Sequence, residues 1–292
     1  MNEEKDIFQE IDIQGGSFLA GNTRSDREGW EIELPVHEVF LSYDFAVYDA
    51  PVTFTAYEKY CREQNIQPPS DFCPKAGYAL GRGEKPIVNL SWWDAIAYCN
   101  WMSLKKRFPV SYRLKGQENP GCLVDESNQI TDDISKTKGY RLLTEAEWEY
   151  VAREGHIMEK DFQFSGSNTL EPVGWFWKNS GNRSLLMPEK KWNGTIITKN
   201  LSKPQPVKTK KPNRLKIYDM SGNVWEWCHD WLGEYSKTPI INPLGQKIGH
   251  QKVIRGGSWF FGRHFCRVSS RFYASPDYRD FQTGFRLART LL

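Results

Sequence analysis

The sequence has little of what would assign a protein quickly. No two of its cysteines, Cys61, Cys73, Cys99, Cys122, Cys228 and Cys266, form a CxxC pair, so a zinc ribbon and a dithiol redox motif are both excluded. A chain of 292 residues can bury a core without a disulfide framework, and the six thiols read as free and mostly buried. No apolar run approaches the roughly 20 residues of a membrane helix. Residues 1–6 are polar and acidic and unlike a secretory signal; a native cytoplasmic start and one left by removal of an export signal both fit. Net charge is a mild +3. The densest basic run, Lys208, Lys210, Lys211 and Arg214, contains Pro212 and no interleaved aromatics. It reads as a solvated loop, and no nucleic-acid partner is expected. The five histidines, His37, His156, His229, His250 and His264, form no close pair suited to a metal. No repeat or low-complexity tract divides the chain, and the reading is one domain over residues 1–292.

Aromatic residues are what it has in surplus: 12 Trp, 13 Tyr and 16 Phe. Such side chains serve cores and recognition surfaces alike, so their placement decides. Strands are expected over residues 11–20, broken at Gly15-Gly16, and over 38–45, where Phe40 and Tyr43 fall partly out of step. A helix is expected from Thr53 to Cys61. A second follows Ser91, which with Asp94 makes a capping box and places Ala95, Tyr98, Cys99 and Met102 on one face. A third follows Thr144, capped with Glu147, with Trp148, Val151 and Ala152 inward. Residues 115–138 and 164–216 read as irregular. Short strands are expected over 223–227, 253–259 and 284–288, with Gly256-Gly257 and Gly284 marking close backbone approaches.

Six motifs occur in order: GGSF (15–18), PIVNLSWWDA (86–95), YRLLTEAEWE (140–149), DMSGNVWEW (219–227), RGGSW (255–259) and GFR (284–286). This series resembles the formylglycine-generating-enzyme, or sulfatase-modifying-factor, family over about residues 9–289. The resemblance implies an α+β fold, a loop-rich variant of the C-type lectin fold with short strands and about three helices. The family's oxidising enzymes carry two cysteines five residues apart after the Gly-Gly-Ser motif and bind copper there. Here the second position is Cys266 and the first is Phe261, which offers a soft metal no ligand, so no copper is expected. A second enzyme branch places a histidine-rich iron site on a helical bundle, and neither feature is present in this sequence. Nor is a local Ser-His-Asp signature. The family also binds calcium at the turn before Asn-Val-Trp-Glu-Trp. The matching positions are Asp219, Gly222, Val224 and Glu226, two carboxylates with carbonyls, which suit a hard cation. The competing reading has Asp219 and Glu226 bonding the turn without metal. No cofactor is required on either reading.

The stretch over about residues 255–289 interleaves two sets. Trp259, Cys266-Arg267-Val268-Ser269, Arg271, Pro276-Asp277, Arg279 and Gly284-Phe285-Arg286 look fixed by the fold. Between them lie Phe260, Phe261, Gly262, His264, Phe265, Ser270, Phe272, Tyr273, Ala274, Ser275, Tyr278, Asp280 and Phe281, with neither helical nor strand period. The layout resembles the variable region of proteins diversified by retroelements, in which Asn codons change at their adenines. Such codons cannot become Lys, Glu, Gln, Met or Trp, and none of these positions holds one; Gln282 would fail the test and belongs to the frame or to another codon. Phe, Tyr and His among Ser, Gly and Asp also suit a paratope, offering large contact area at low side-chain entropy cost. Burial in the core is the competing reading, and it is the one expected for Trp259 and Phe285.

The expected function is a non-enzymatic ligand-display protein with a variable C-terminal surface. The alternative is a formylglycine-generating-type oxidoreductase or protein-maturation factor. The resemblance implies an unknown protein or other macromolecular ligand at that surface and display on the cell surface, with a cytoplasmic location as the alternative. Membrane attachment would run only through a lipid anchor not in this chain.

Overall fold

The computed structural model describes residues 7–24 and 29–291. Its strands in chain order are β1 (Glu10–Ile13), β2 (Gly16–Ala20), β3 (His37–Leu41), β4 (Phe45–Tyr48), β5 (Phe72–Cys73), β6 (Tyr78–Ala79), β7 (Arg141–Leu142), β8 (Trp225–Trp231), β9 (Ile240–Ile241), β10 (Lys252–Arg255), β11 (Arg271–Ala274), β12 (Thr283–Gly284) and β13 (Leu287–Thr290). The helices are α1 (Phe54–Gln64), α2 (Trp92–Lys105), α3 (Glu145–Ala152) and the short α4 (Gly194–Lys199). Two four-stranded sheets, ordered β1-β4-β13-β7 and β11-β10-β8-β12, are joined by a three-stranded sheet β2-β3-β9 and the hairpin β5-β6. The arrangement is mixed α+β and loop-rich.

The two capping boxes form as the sequence predicts, and Thr53, read as the first helical residue, is instead a cap. Thr53 caps α1, accepting from the Ala56 N–H, and full capping boxes open α2 at Ser91 and Asp94 and α3 at Thr144 and Glu147. The fourth helix, α4, falls in the region read as irregular; six residues carry too little periodicity to announce themselves. Each long strand expectation breaks where the chain changes sheets. Residues 11–20 become β1, paired with β4, and β2, paired with β3. A Cβ on Gly15 would lie 2.5 Å from the Leu41 carbonyl oxygen, so only glycine permits this crossing. Residues 38–45 likewise divide into β3 and β4, and 284–288 divide into β12, beside β8, and β13, beside β4. Phe285 and Arg286 therefore sit at the passage between the two main sheets.

One buried apolar cluster runs from Phe8 to Ala288 and includes Trp92, Trp148, Trp177, Trp225, Trp227 and Trp259. Trp259 and Phe285 are fully buried. The cysteines are free thiols, all buried except the half-buried Cys122. Helix α3 is buried along its whole length, including Glu145, Glu147 and Glu149. This exceeds the one-sided burial expected from its sequence, and it is possible because every one of those carboxylates meets an arginine. Among the described residues, no helix is long and apolar enough to cross a membrane.

Candidate functional site

The segment from β10 onward is fastened by four buried arginines. Arg255, on β10, donates to Glu145 at 2.9 Å and to Glu149 at 2.8 Å. Arg267 makes a two-pronged pair with Glu33, and Arg271 grips both oxygens of Glu145 at 2.8 and 2.6 Å. Arg286 grips both oxygens of Glu226 at 2.9 and 2.7 Å and donates to the carbonyls of Tyr48 and Tyr218. Gly256 (φ +99°) and Gly257 (φ +74°) turn the chain sharply out of β10; a Cβ on Gly257 would meet Cys266 Sγ at 2.7 Å.

Between these anchors the aromatic side chains come together. Phe261 and Phe265 lie 4.7 Å apart, and Phe265 and Phe272 6.4 Å. Phe272 stacks on Tyr273 at 5.3 Å, and Phe260 contacts Phe261 at 6.0 Å. His264 lies 4.2 Å from Phe265. Trp225, buried, forms the floor beneath Phe261, Phe265 and Phe272. All six surface residues of this cluster are half-buried, and Phe260, Phe261, Phe265 and Phe272 pack against the core.

Two further tryptophans complete the patch. Trp30 contacts Phe265 at 5.4 Å, and Trp192 contacts Phe260 and Phe261 at 5.7 and 6.3 Å; each is 42% exposed. Sequence reasoning missed both because they lie far from the closing segment. Their signal was a large aromatic inside a polar, irregular stretch, as in Lys190-Lys191-Trp192.

Several expected contact positions sit elsewhere. Ser270 is 1% exposed and Phe281 9%, Phe281 packing on Trp259 and Phe260; neither offers its side chain to solvent. Gly262 is also buried. Asp280 turns inward: its carboxylate accepts from the Gln282 N–H, and burial raises its pKa. Ala274 is half-buried on β11, while Ser275 and Tyr278 are exposed beyond it. Among the described residues, no ring contact links Tyr278 to the cluster. The burial of Ser270 and Phe281 follows from position rather than residue type. Ser270 precedes the anchored Arg271, and Phe281 lies under the Trp259 ring.

Neither metal reading fits the residues present. Both Glu226 oxygens are taken by Arg286, and one also accepts from Trp148 Nε1 at 3.0 Å. Asp219 accepts from the Lys208 N–H and from Asn223 Nδ2. A guanidinium thus stands where a divalent cation would need unclaimed carboxylate oxygens. Burial pushes the Asp219 pKa up to about 6. At the position matching the copper site, Phe261 has only its ring. Cys266 is fully buried, and burial drives its thiol well above the usual range, the opposite of the thiolate a soft metal requires. The basic run is largely engaged: Lys208 pairs with Asp49, Arg214 with Glu159, and Lys210 lies over the Trp175 ring.

Short strands around three capped helices, a Gly-Gly-Ser turn and a closing Gly-Phe-Arg define a formylglycine-generating-enzyme-type variant of the C-type lectin fold. The chain belongs to the sulfatase-modifying factor enzyme 1-like domain family, whose model matches residues 1–291. It is 35% identical over 189 residues to the chaperone protein LppX of Paenibacillus barcinonensis, covering 64% of this chain and 63% of that one. It is 30% identical over 213 residues to the formylglycine-generating enzyme of Streptomyces coelicolor, covering 71% of this chain. The match spans only 54% of that enzyme's length. Among solved structures, Treponema denticola variable protein 1 matches 97% of this chain and 95% of its own, with a TM-score of 0.73 at 29% identity.

Proposed function

We propose that this is a non-enzymatic display protein whose half-exposed aromatic patch binds a protein or other macromolecular ligand at the cell surface. On this reading the patch is diversified by a retroelement through changes at adenines. The observation that carries the reading is the sorting within the closing segment. Arg267, Arg271 and Arg286 of the frame are locked in buried ion pairs, while Arg279 pairs with Asp94 at the surface and Phe260, Phe261, His264, Phe265, Phe272 and Tyr273 share one solvent-facing cluster. Such a division lets contact residues change without touching what holds the fold. The structural likeness to a variable protein supports it.

The kinship with formylglycine-generating enzymes favours an oxidoreductase as the second reading. Against it stand Phe261 in place of a ligating cysteine and a buried Cys266 whose pKa is raised rather than lowered. The deciding experiment sequences the region around the gene. The expected result is a reverse transcriptase and a near-copy of the codons for residues 259–286. Its adenines should differ from the gene at Phe260, Phe261, Phe265, Phe272 and Tyr273, and match it at Arg267, Arg271 and Arg286. Absence of such a copy overturns the display reading. Copper binding with substrate turnover would establish the enzyme instead.

A further inference from the structure

A cavity of about 190 Å³ lies between β3, the start of α3 and the chain from Asp230 to Gln246, far above the ~10–15 Å³ that one water needs. None of the thirteen candidate contact positions lines it. Whatever it holds would be common to every variant of the patch.

The wall is apolar at Val39, Ile240, Pro243 and Leu244. His37 and Tyr235 meet at 4.6 Å at one end. His37 Nδ1 faces the Pro35 carbonyl, so it carries the proton, and Nε2 has no partner among the described residues. Asp230, 3% exposed, enters from the end of β8. Its Oδ2 accepts from the Glu145 N–H at 2.8 Å, and its Oδ1 has no hydrogen-bond partner among the described residues. The residue is buried, yet this oxygen is not among the sealed-off atoms without a partner, so it is open to whatever enters the cavity.

Glu234, exposed, also lines the cavity and has no partner among the described residues; the buried charges around Asp230 are committed. Glu145 is held by Arg255, Arg271 and Tyr235, and Glu149 by Arg153, Arg255 and the Gly21 N–H. Arg271 is spent on Glu145 and on the carbonyls of Ile32 and Gly233. The Lys252 ammonium lies between the rings of Trp92 and Trp231 and donates to the His229 carbonyl, without an ion pair to Asp230. Among the described residues, no unpaired Lys or Arg lines the cavity to receive an anion. Among the described residues no group of three or more His, Cys, Asp and Glu side chains could hold a metal ion.

We propose that this cavity binds a small aliphatic ammonium ion, its head on Asp230 Oδ1 and its body against Val39, Ile240, Pro243 and Leu244. Burial, with Glu145 and Glu147 on α3 against Lys252 on β10, pushes the Asp230 pKa up to about 8. The empty site therefore holds Asp230 largely protonated at neutral pH. The ammonium favours the ionised form, so binding expels a proton and tightens as pH rises towards 8.

The test is isothermal titration of the whole chain with n-butylammonium chloride at pH 6.5 and 8.5, with n-butanol as the uncharged control. Saturable binding is expected at pH 8.5, about 25-fold weaker at pH 6.5, with none for butanol. Asp230→Asn keeps the acceptor for the Glu145 N–H and is expected to lose binding at least about tenfold. Leu244→Trp, which fills the cavity from its half-buried wall, is expected to abolish binding and serves if the Asp230 variant fails to fold. No saturable heat at pH 8.5, equal binding by butanol, or full binding by either folded variant overturns the proposal.

Discussion

Two sets of residues share the segment from Arg255 to Arg286, and their burial inverts their polarity. The side chains of Arg255, Arg267, Arg271 and Arg286 are at most 3% exposed, whereas Phe260, Phe261, Phe265, Phe272 and Tyr273 remain half in solvent. The arginines can be inside because Arg267, Arg271 and Arg286 each grip one carboxylate in fork geometry and Arg255 spans two, which offsets much of the desolvation. The comparison shows that here the fixed part of the surface is held by buried charge and the changeable part is made of apolar rings. It can be broken most forcefully at Arg286. Arg286→Met leaves Glu226 buried with only Trp148 to satisfy it, at a cost of about 3–5 kcal/mol in unfolding free energy. Urea unfolding followed by tryptophan fluorescence measures this. A loss under about 1 kcal/mol would dissolve the distinction between frame and surface.

The next test stays within one residue type. Phe281 and Phe272 are both phenylalanines of the closing segment, yet Phe281 is 9% exposed between Trp259 and Phe260. Phe281→Ala is expected to cost about 3 kcal/mol, as for a ring removed from a packed core. A change of less than about 1 kcal/mol would return Phe281 to the contact surface.

What could be read beforehand divides along the same line. The capped helices were legible because a capping box is a local chemical pattern, and Ser91 with Asp94 forms one whatever the rest of the chain does. That Phe265 and Phe272 share one patch was expected; the packing that sets them beside each other was not legible. Their neighbourhood depends on Trp225 arriving from β8 and on the turn at Gly256-Gly257. Ser270 was misplaced for a related reason: a small polar residue carries no signal of whether its neighbour is anchored, and Arg271 is tied to Glu145, 126 residues away in sequence. The Asp219–Glu226 turn had the composition of a calcium site. What decides against one, Arg286, joins it only through the passage between the sheets.

That turn supplies a smaller, pH-dependent effect. Burial raises the Asp219 pKa in the folded state from 3.8 to about 6, so the folded protein binds a proton there that the unfolded chain releases. Its contribution to stability is full below about pH 4, declines as pH rises to about 6 and is constant above. Asp219→Asn cannot ionise. The parent should therefore lose stability relative to that variant between pH 4 and 6, on the order of 1–2 kcal/mol. Thermal unfolding of both proteins across that range reads the difference. A difference that grows in the opposite direction would mean that Asp219 is ionised and ligated in the folded protein, which would reopen the calcium reading.

The smallest expected effects belong to the patch itself, and they matter most to the comparison. Phe265 and Phe272 pack on the core with one face and Tyr273 is half-buried against Phe272, so truncating each to Ser removes only part of a full burial, about 1 kcal/mol. Tyr278, 47% exposed and outside the ring cluster, should change stability by less than about 0.5 kcal/mol. Because Phe265 touches Phe272, their double variant should depart from additivity, while Phe265 with Tyr278 should add. A scaffold that tolerates all four changes can present different residues at those positions without refolding around them. If instead each of the three ring truncations costs as much as Phe281→Ala, the rings are core, their solvent-facing sides are incidental, and no variable surface can be built on them.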